Sequence, residues 1–156
     1  MKKIVFFRID ERLIHGQIVT SWLNSVKCDT IVVADDKATK DLFSKTVYSM
    51  AVPRDYKFIL STVDDAITYL KDNGSEDVFL IAGNIHAAEL LINALNLSSV
   101  NLGYLGSHPG RMKYDKSLFL SQEDLVIIKR LLNKGIEIFV QNVSTERKKN
   151  INSIIK

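Results

Sequence analysis

Six short, nearly continuous apolar runs limit how this chain can fold: Ile4–Phe7, Thr30–Ala34, Lys57–Ser61, Val78–Ala82, Val100–Leu105 and Ile136–Gln141. A strand with one face in water alternates apolar and polar residues. Runs without that alternation belong to strands covered on both faces, as in a parallel sheet. The segments between them carry a helical period. Val63, Ala66, Ile67 and Leu70 fall at i, i+3, i+4 and i+7, and so do Ala87, Leu90, Leu91 and Ala94. Phe43, Val47 and Met50 share a face, as do Ile18, Val19, Trp22 and Leu23. Leu125, Ile128 and Leu132 form another stripe, opened by the capping sequence Ser121-Gln122-Glu123-Asp124 and closed by Gly135. The alternation predicts an α/β fold: a single-domain, open, doubly wound, mainly parallel β-sheet with helices on both faces, residues 1–156 forming one domain. Gly103–Lys116 breaks the pattern and reads as a long loop ending in a short strand at Ser117–Leu120. Long loops inside compact domains are disproportionately functional.

Bulk properties narrow the function classes. Net charge is +3, and the main basic block, Arg147-Lys148-Lys149, reads as a solvated helix face rather than a nucleic-acid patch. The one cysteine, Cys28, builds neither an intrachain disulfide framework nor a Cys-based zinc site, and reads as a small buried residue near a strand start. The apolar run after Met1-Lys2-Lys3 stops at Arg8, short of a signal-peptide core, and no stretch approaches the roughly 20 apolar residues of a membrane span. The expectation is a cytoplasmic protein whose membrane association comes through partners only.

The sequence Arg8-Ile9-Asp10-Glu11-Arg12-Leu13-Ile14-His15-Gly16-Gln17 leaves the carboxyl end of the first strand, where open α/β sheets bind ligands. A helix over Gly16–Asn24 would turn its free N–H groups and positive dipole end toward this loop, making an anion cradle from Gly16 and Gln17. Arg12 offers a bidentate phosphate contact, and Arg8 would reach the same site from the strand end. His15 has a neutral, nucleophilic nitrogen near pH 7 and is suited to carry a phosphoryl group. Asp10 would fix its tautomer or orient Arg12. From the residues alone a second reading stays open, in which His15 caps a turn and the charges are solvated. His86, at a helix start, and His108, in the glycine-rich loop, read as ordinary residues that would rim the same cleft. A metal site would need the three histidines to converge, and no pair has helical ligand spacing. Asp35-Asp36 reads as a helix cap, by Asp36, or as a carboxylate pair for acid–base work.

The Arg8–Ile18 stretch resembles the signature of the enzyme IIB component of the mannose/fructose/sorbose family of bacterial sugar phosphotransferase systems. Val32–Asp41, Met50-Ala51-Val52-Pro53, Asn101-Leu102-Gly103, Leu118–Asp124, Lys134–Glu137 and Val140-Gln141 resemble further segments of that family, so the likeness runs nearly the length of the chain. The resemblance implies a phosphocarrier that accepts a phosphoryl group from a IIA phosphohistidine onto His15. The group then passes to a sugar taken up through membrane IIC/IID partners. Asp10 and Arg12 lie in the active loop, Nδ1 is the nitrogen expected to carry the phosphate, and no metal or organic cofactor is implied. The alternative is a non-catalytic regulatory or binding module that keeps the fold; a hydrolase with His15 as base ranks last, for want of a nucleophile. Tyr104 stands where the family often has a second glycine, and Ser144 where it often has proline. The choice among mannose, fructose, sorbose or an amino sugar lies in the membrane partner.

Overall fold

Why the apolar runs lack alternation is visible in a computed structural model, which describes residues 1–155. Seven strands form one sheet in the order β3-β2-β4-β1-β5-β8-β9. They are β1 (Lys3–Ile9), β2 (Thr30–Ala34), β3 (Lys57–Ser61), β4 (Asp77–Ala82), β5 (Ser99–Leu102), β8 (Glu137–Val140) and β9 (Lys149–Asn150). All pairings are parallel except β9 on β8. Two apolar layers coat the sheet. Val32, Ala34, Val78, Leu80 and Ala82 face α4 (Val63–Lys71), α5 (Ile85–Leu95) and α6 (Gln122–Asn133). Their neighbours Ile31, Val33, Phe79 and Ile81 face Ile18, Trp22, Leu23 and the residues of α2 (Asp36–Thr39) and α3 (Leu42–Ala51) that turn inward. Both faces of each central strand are therefore buried, which removes any polar alternation.

Caps end the helices where side chains meet free amides. Thr62, Asn84 and Ser121 accept from Asp65, Ala87 and Asp124 N–H, and Ser121 and Asp124 form a reciprocal box. Gly135 closes the α6 turn at φ +83°. α6 buries Ile127, Ile128 and Leu131, a stripe rotated slightly from the expected Leu125, Ile128 and Leu132. The cap of α2 is Asp35, not Asp36: Asp35 accepts from Ala38 N–H, while Asp36 reaches across to Val63 N–H at the start of α4. Burial, helped by Asp29 and Asp77, pushes the half-buried Cys28 thiol up to about 11 and keeps it protonated.

Further sequence expectations change. The fifth strand ends at Leu102; Leu105 instead forms a separate bridge to Leu118. The Gly103–Lys116 segment contains a strand, β6 (Met112–Asp115), which pairs antiparallel with β7 (Leu118–Leu120). The apolar face of α3 points outward: Leu42 is 81 % exposed, Phe43 76 % and Met50 81 %. The α3 period is real, but none of the described residues covers its apolar face.

β1 lies in the middle of the sheet. Its connection runs toward β2 and β3, whereas β5 feeds β8 on the other side, so the carboxyl ends of β1 and β5 flank a switch point. No helix among the described residues is long and apolar enough to cross a membrane.

Phe79 is fully buried, edge-on to Phe6 with ring centroids 5.2 Å apart. Phe79→Ala is expected to cost about 3–5 kcal/mol in urea unfolding, and Phe43→Ala, on the exposed α3 face, less than about 0.5 kcal/mol.

Candidate active site

β1 carries Phe7 and Ile9 into the α4–α6 layer, so period-2 geometry sends Arg8 to the opposite face. There Arg8 is fully buried, and every guanidinium nitrogen is engaged. Nε and Nη2 donate to Asp10 Oδ2 at 3.3 and 3.0 Å, Nη1 to Asn101 Oδ1 at 2.5 Å and Gln141 O at 2.9 Å, and Nη2 also to Asn142 O at 3.1 Å. The Trp22 ring lies 5.0 Å from its charge centre and stacks on Phe6. Burial pulls the Arg8 pKa down, and Asp10 opposes it. Arg8 thus cannot bind phosphate directly, contrary to the sequence expectation: it has neither exposure nor a spare N–H. It holds Asp10. A Cβ at Gly103 would collide with the Arg8 guanidinium, so only glycine lets β5 pass so close.

Beyond β1 the chain makes a tight turn. Leu13 N–H donates to Asp10 O at 3.0 Å, and Leu13 adopts φ +58°, rare for a leucine. Leu13 and Ile14 bury themselves in the layer beneath, leaving Arg12 to fold back. Arg12 N–H and Nε donate to Asp10 Oδ1 at 3.0 and 3.1 Å, and Nη2 to Asp10 Oδ2 at 3.0 Å and Gln17 Oε1 at 3.1 Å. Its guanidinium lies 4.3 Å from the Tyr104 ring centre. Nη1 has no protein partner among the described residues, and Arg12 lines an open cleft of about 420 Å3 with Gln17, Tyr104 and Asn142.

His15 follows, 16 % exposed. Its Nε2 lies 3.0 Å from Asp10 Oδ2, and the Gln17 backbone N–H donates to Nδ1 at 3.3 Å. Asp10 is ionised: burial pushes its carboxyl up, but hydrogen bonds from His15 and Arg12 and the charge of Arg8 outweigh burial and hold it at about 2. A carboxylate only accepts, so Nε2 must carry the proton, and Nδ1 presents its lone pair to the helix start. The helix begins at Gly16, where added side-chain atoms would meet open space. Between Ile18 and Trp22 it widens to a π-helical turn, Leu23 N–H donating to Ile18 O, before running into α1 (Leu23–Ser25). That turn seats Trp22, whose indole N–H donates to Asn142 O at 3.0 Å.

Glu11 ties the glycine-rich loop to this site. It accepts from Gly106 N–H, from Arg111 Nη1 at 2.8 Å and pairs with His108 Nε2 at 2.7 Å, while its own N–H donates to Tyr104 O. These donors overcome partial burial and lower its pKa. His108 therefore rims the site through Glu11, whereas His86 lies on exposed α5 surface. No group of three or more metal-ligating side chains converges among the described residues. Sequence reasoning missed Asn101, the carbonyls of Gln141 and Asn142, and the Tyr104 platform. An asparagine between Val100 and Leu102 in an otherwise buried strand was a signal for Asn101, beside the resemblance carried by Asn101-Leu102-Gly103.

Comparison with known proteins places the chain as a whole. A family model described as PTS system sorbose subfamily IIB component matches residues 4–156. A probable phosphotransferase enzyme IIB component of Streptococcus pyogenes is 27 % identical over 97 % of this chain and 99 % of its own length. The mannose-specific EIIAB component of Escherichia coli is 29 % identical over 90 % of this chain, which spans 45 % of that relative. Among solved structures, manxB from Thermoanaerobacter tengcongensis superposes at TM-score 0.89 with 31 % identity, covering 99 % of this chain and 96 % of that one. The IIBSor domain of the Klebsiella pneumoniae sorbose permease gives 0.93 with 24 % identity, a likeness of fold, over 98 % and 96 %.

The depressed Asp10 value makes a pH prediction. Asp10 binds its proton less readily folded than unfolded, where its value is about 3.9, so its stabilisation, about 2–3 kcal/mol, is complete above about pH 4 and is lost as pH falls through about 2. A carboxyl-carbon NMR titration should place the Asp10 midpoint near 2; a midpoint near 4 would show that the cluster does not hold the charge.

Proposed function

The chain belongs to the sorbose subfamily of phosphotransferase-system IIB components, and on that footing we propose that His15 Nδ1 is the nucleophile of its phosphoryl relay. As a IIB component it is a phosphotransferase that carries phosphoryl groups in sugar uptake, working with phosphotransferase-system partners such as IIA and IIC. In the finer reading, a IIA phosphohistidine is the donor, and the acceptor is a sugar held by a membrane IIC/IID complex at the cytoplasmic face.

The observation that carries this reading is the double claim on the His15 ring. Asp10 accepts the hydrogen bond from Nε2–H and Gln17 N–H aims at Nδ1, so the lone pair stands at the start of a helix, where a phosphoryl group meets free amides and the positive dipole end. In the first step the Nδ1 lone pair attacks the donor's phosphorus, and the donor's N–P bond breaks. The Nε2 proton stays on His15, and the ring's new positive charge is stabilised by Asp10. In the second step a sugar hydroxyl oxygen attacks the same phosphorus and releases its proton to solvent, and Nδ1 leaves as the neutral base it was. Gly16 and Gln17 cradle the transferred group. Arg12, anchored on Asp10 by Nε and Nη2, offers its free Nη1 without having to swing. Tyr104 beneath the guanidinium keeps that edge aimed. Arg8 acts on the reaction only through Asp10.

With phosphoenolpyruvate, the general phosphotransferase proteins and IIA, the protein should gain one acid-labile, base-stable phosphate, and His15→Ala none; uptake by His15→Ala at the wild-type rate would refute the assignment. Arg12→Ala should transfer roughly 10- to 150-fold more slowly with the fold retained in circular dichroism, the loss of one charge-assisted contact. Tyr104→Ala should cost roughly 3- to 10-fold in rate and Tyr104→Phe less than about 2-fold, because the ring face and not the hydroxyl meets Arg12. Equal losses in the two Tyr104 variants, read in quenched-flow assays, would rule out the platform.

A further inference from the structure

The outward apolar face of α3 has no role in the core or in the phosphoryl chemistry. Leu42, Phe43 and Met50 expose most of their surface, with Val47 at 42 % between them, on a helix that buries no residue fully. Monomeric proteins rarely leave such a contiguous stripe bare without a partner for it. α3 follows β2, so it starts from the same carboxyl edge of the sheet that carries the active loop. A cleft of about 390 Å3, lined by Glu11 and Leu13 of that loop and by Lys37, Lys40, Ser44 and Tyr48, joins the two.

We propose that the α3 face and this cleft form the docking surface for the phosphorylated donor protein, resting on the reading of His15 given above. Size argues against a second copy of the chain. A ten-residue helix is about 15 Å long and roughly 10 Å wide, a footprint on the order of 150 Å2, far below the about 800 Å2 per partner of a stable interface. The cleft that joins α3 to Glu11 and Leu13 carries a contact of that size over the active loop. A symmetric dimer doing so would cover His15, whereas a protein that must bring its own histidine to Nδ1 has to cover it. The cleft carries both signs, Lys37 and Lys40 beside Glu11, Asp35 and Asp41, and Lys37 and Lys40 pair with no carboxylate among the described residues, so it suits a partner surface of mixed charge.

The test uses the triple variant Leu42→Ser, Phe43→Ser, Met50→Ser, whose circular dichroism and melting should match wild type because all three sites are exposed. With phosphorylated IIA titrated as donor, KM should rise at least 10-fold with kcat unchanged. Phosphoramidate, a small donor that needs no docking, should phosphorylate the variant at the wild-type rate. Donor kinetics equal to wild type would overturn the proposal. So would a defect confined to sugar phosphate formation with the membrane components, which would give the face to the permease. A wild-type dimer in sedimentation that the variant loses would also overturn it, assigning the face to a second copy. Failure of the nucleophile assignment is read separately, by phosphoramidate uptake in His15→Ala.

Discussion

Everything at the carboxyl edge of this sheet depends on one carboxylate oxygen. Asp10 Oδ2 accepts from Arg8, Arg12 and His15 at once, with no exposure to solvent. Burying Arg8 would be prohibitive alone, and it persists because Asp10, Asn101 and two backbone carbonyls satisfy all its donors. The same carboxylate folds Arg12 back over the loop and fixes the His15 tautomer. Structural cohesion and chemical readiness therefore come from one group. The charge balance suits a relay. Two guanidiniums against one carboxylate leave a modest positive excess, enough to attract a phosphoryl dianion without holding it so firmly that it cannot be passed on.

Much of this could be read from residues. Thr30–Ala34 and Lys57–Ser61 match their strands end to end, because short apolar runs between turn signals have few other uses. Asp10, Arg12 and His15 were legible as a group by sitting together past a strand end. The elements that escaped are those whose sequence lacks the driving force. β6 reads Met-Lys-Tyr-Asp and survives through pairing with β7, and β9 is two residues long. For α3, periodicity identified a face but not the side of the sheet it looks toward, because the pattern is the same whether the cover is the core or another protein. Arg8 was misjudged for a related reason: its position at the strand end was evident, but which way it pointed followed only from the burial of Phe7 and Ile9 on the other face.

The glycine-rich loop is built around two contacts: the Tyr104 ring lies against Arg12, while Glu11 clamps the residues that follow. The loop is thus tied to the active turn at both ends of a short stretch, which sets the wall of the cleft beside His15.

The π-helical turn between Ile18 and Trp22 also bears on attempts to improve this protein. An engineer wishing to regularise the helix would impose the ordinary i→i+4 ladder on the same residues. That repair would rotate everything beyond it by about one residue's 100° and carry the Trp22 ring away from the underside of Arg8. The irregularity is therefore a spacer that keeps two registers compatible, one set by the helix start at His15 and the other by the aromatic floor. Stabilisation by idealising the backbone has to stop short of this segment.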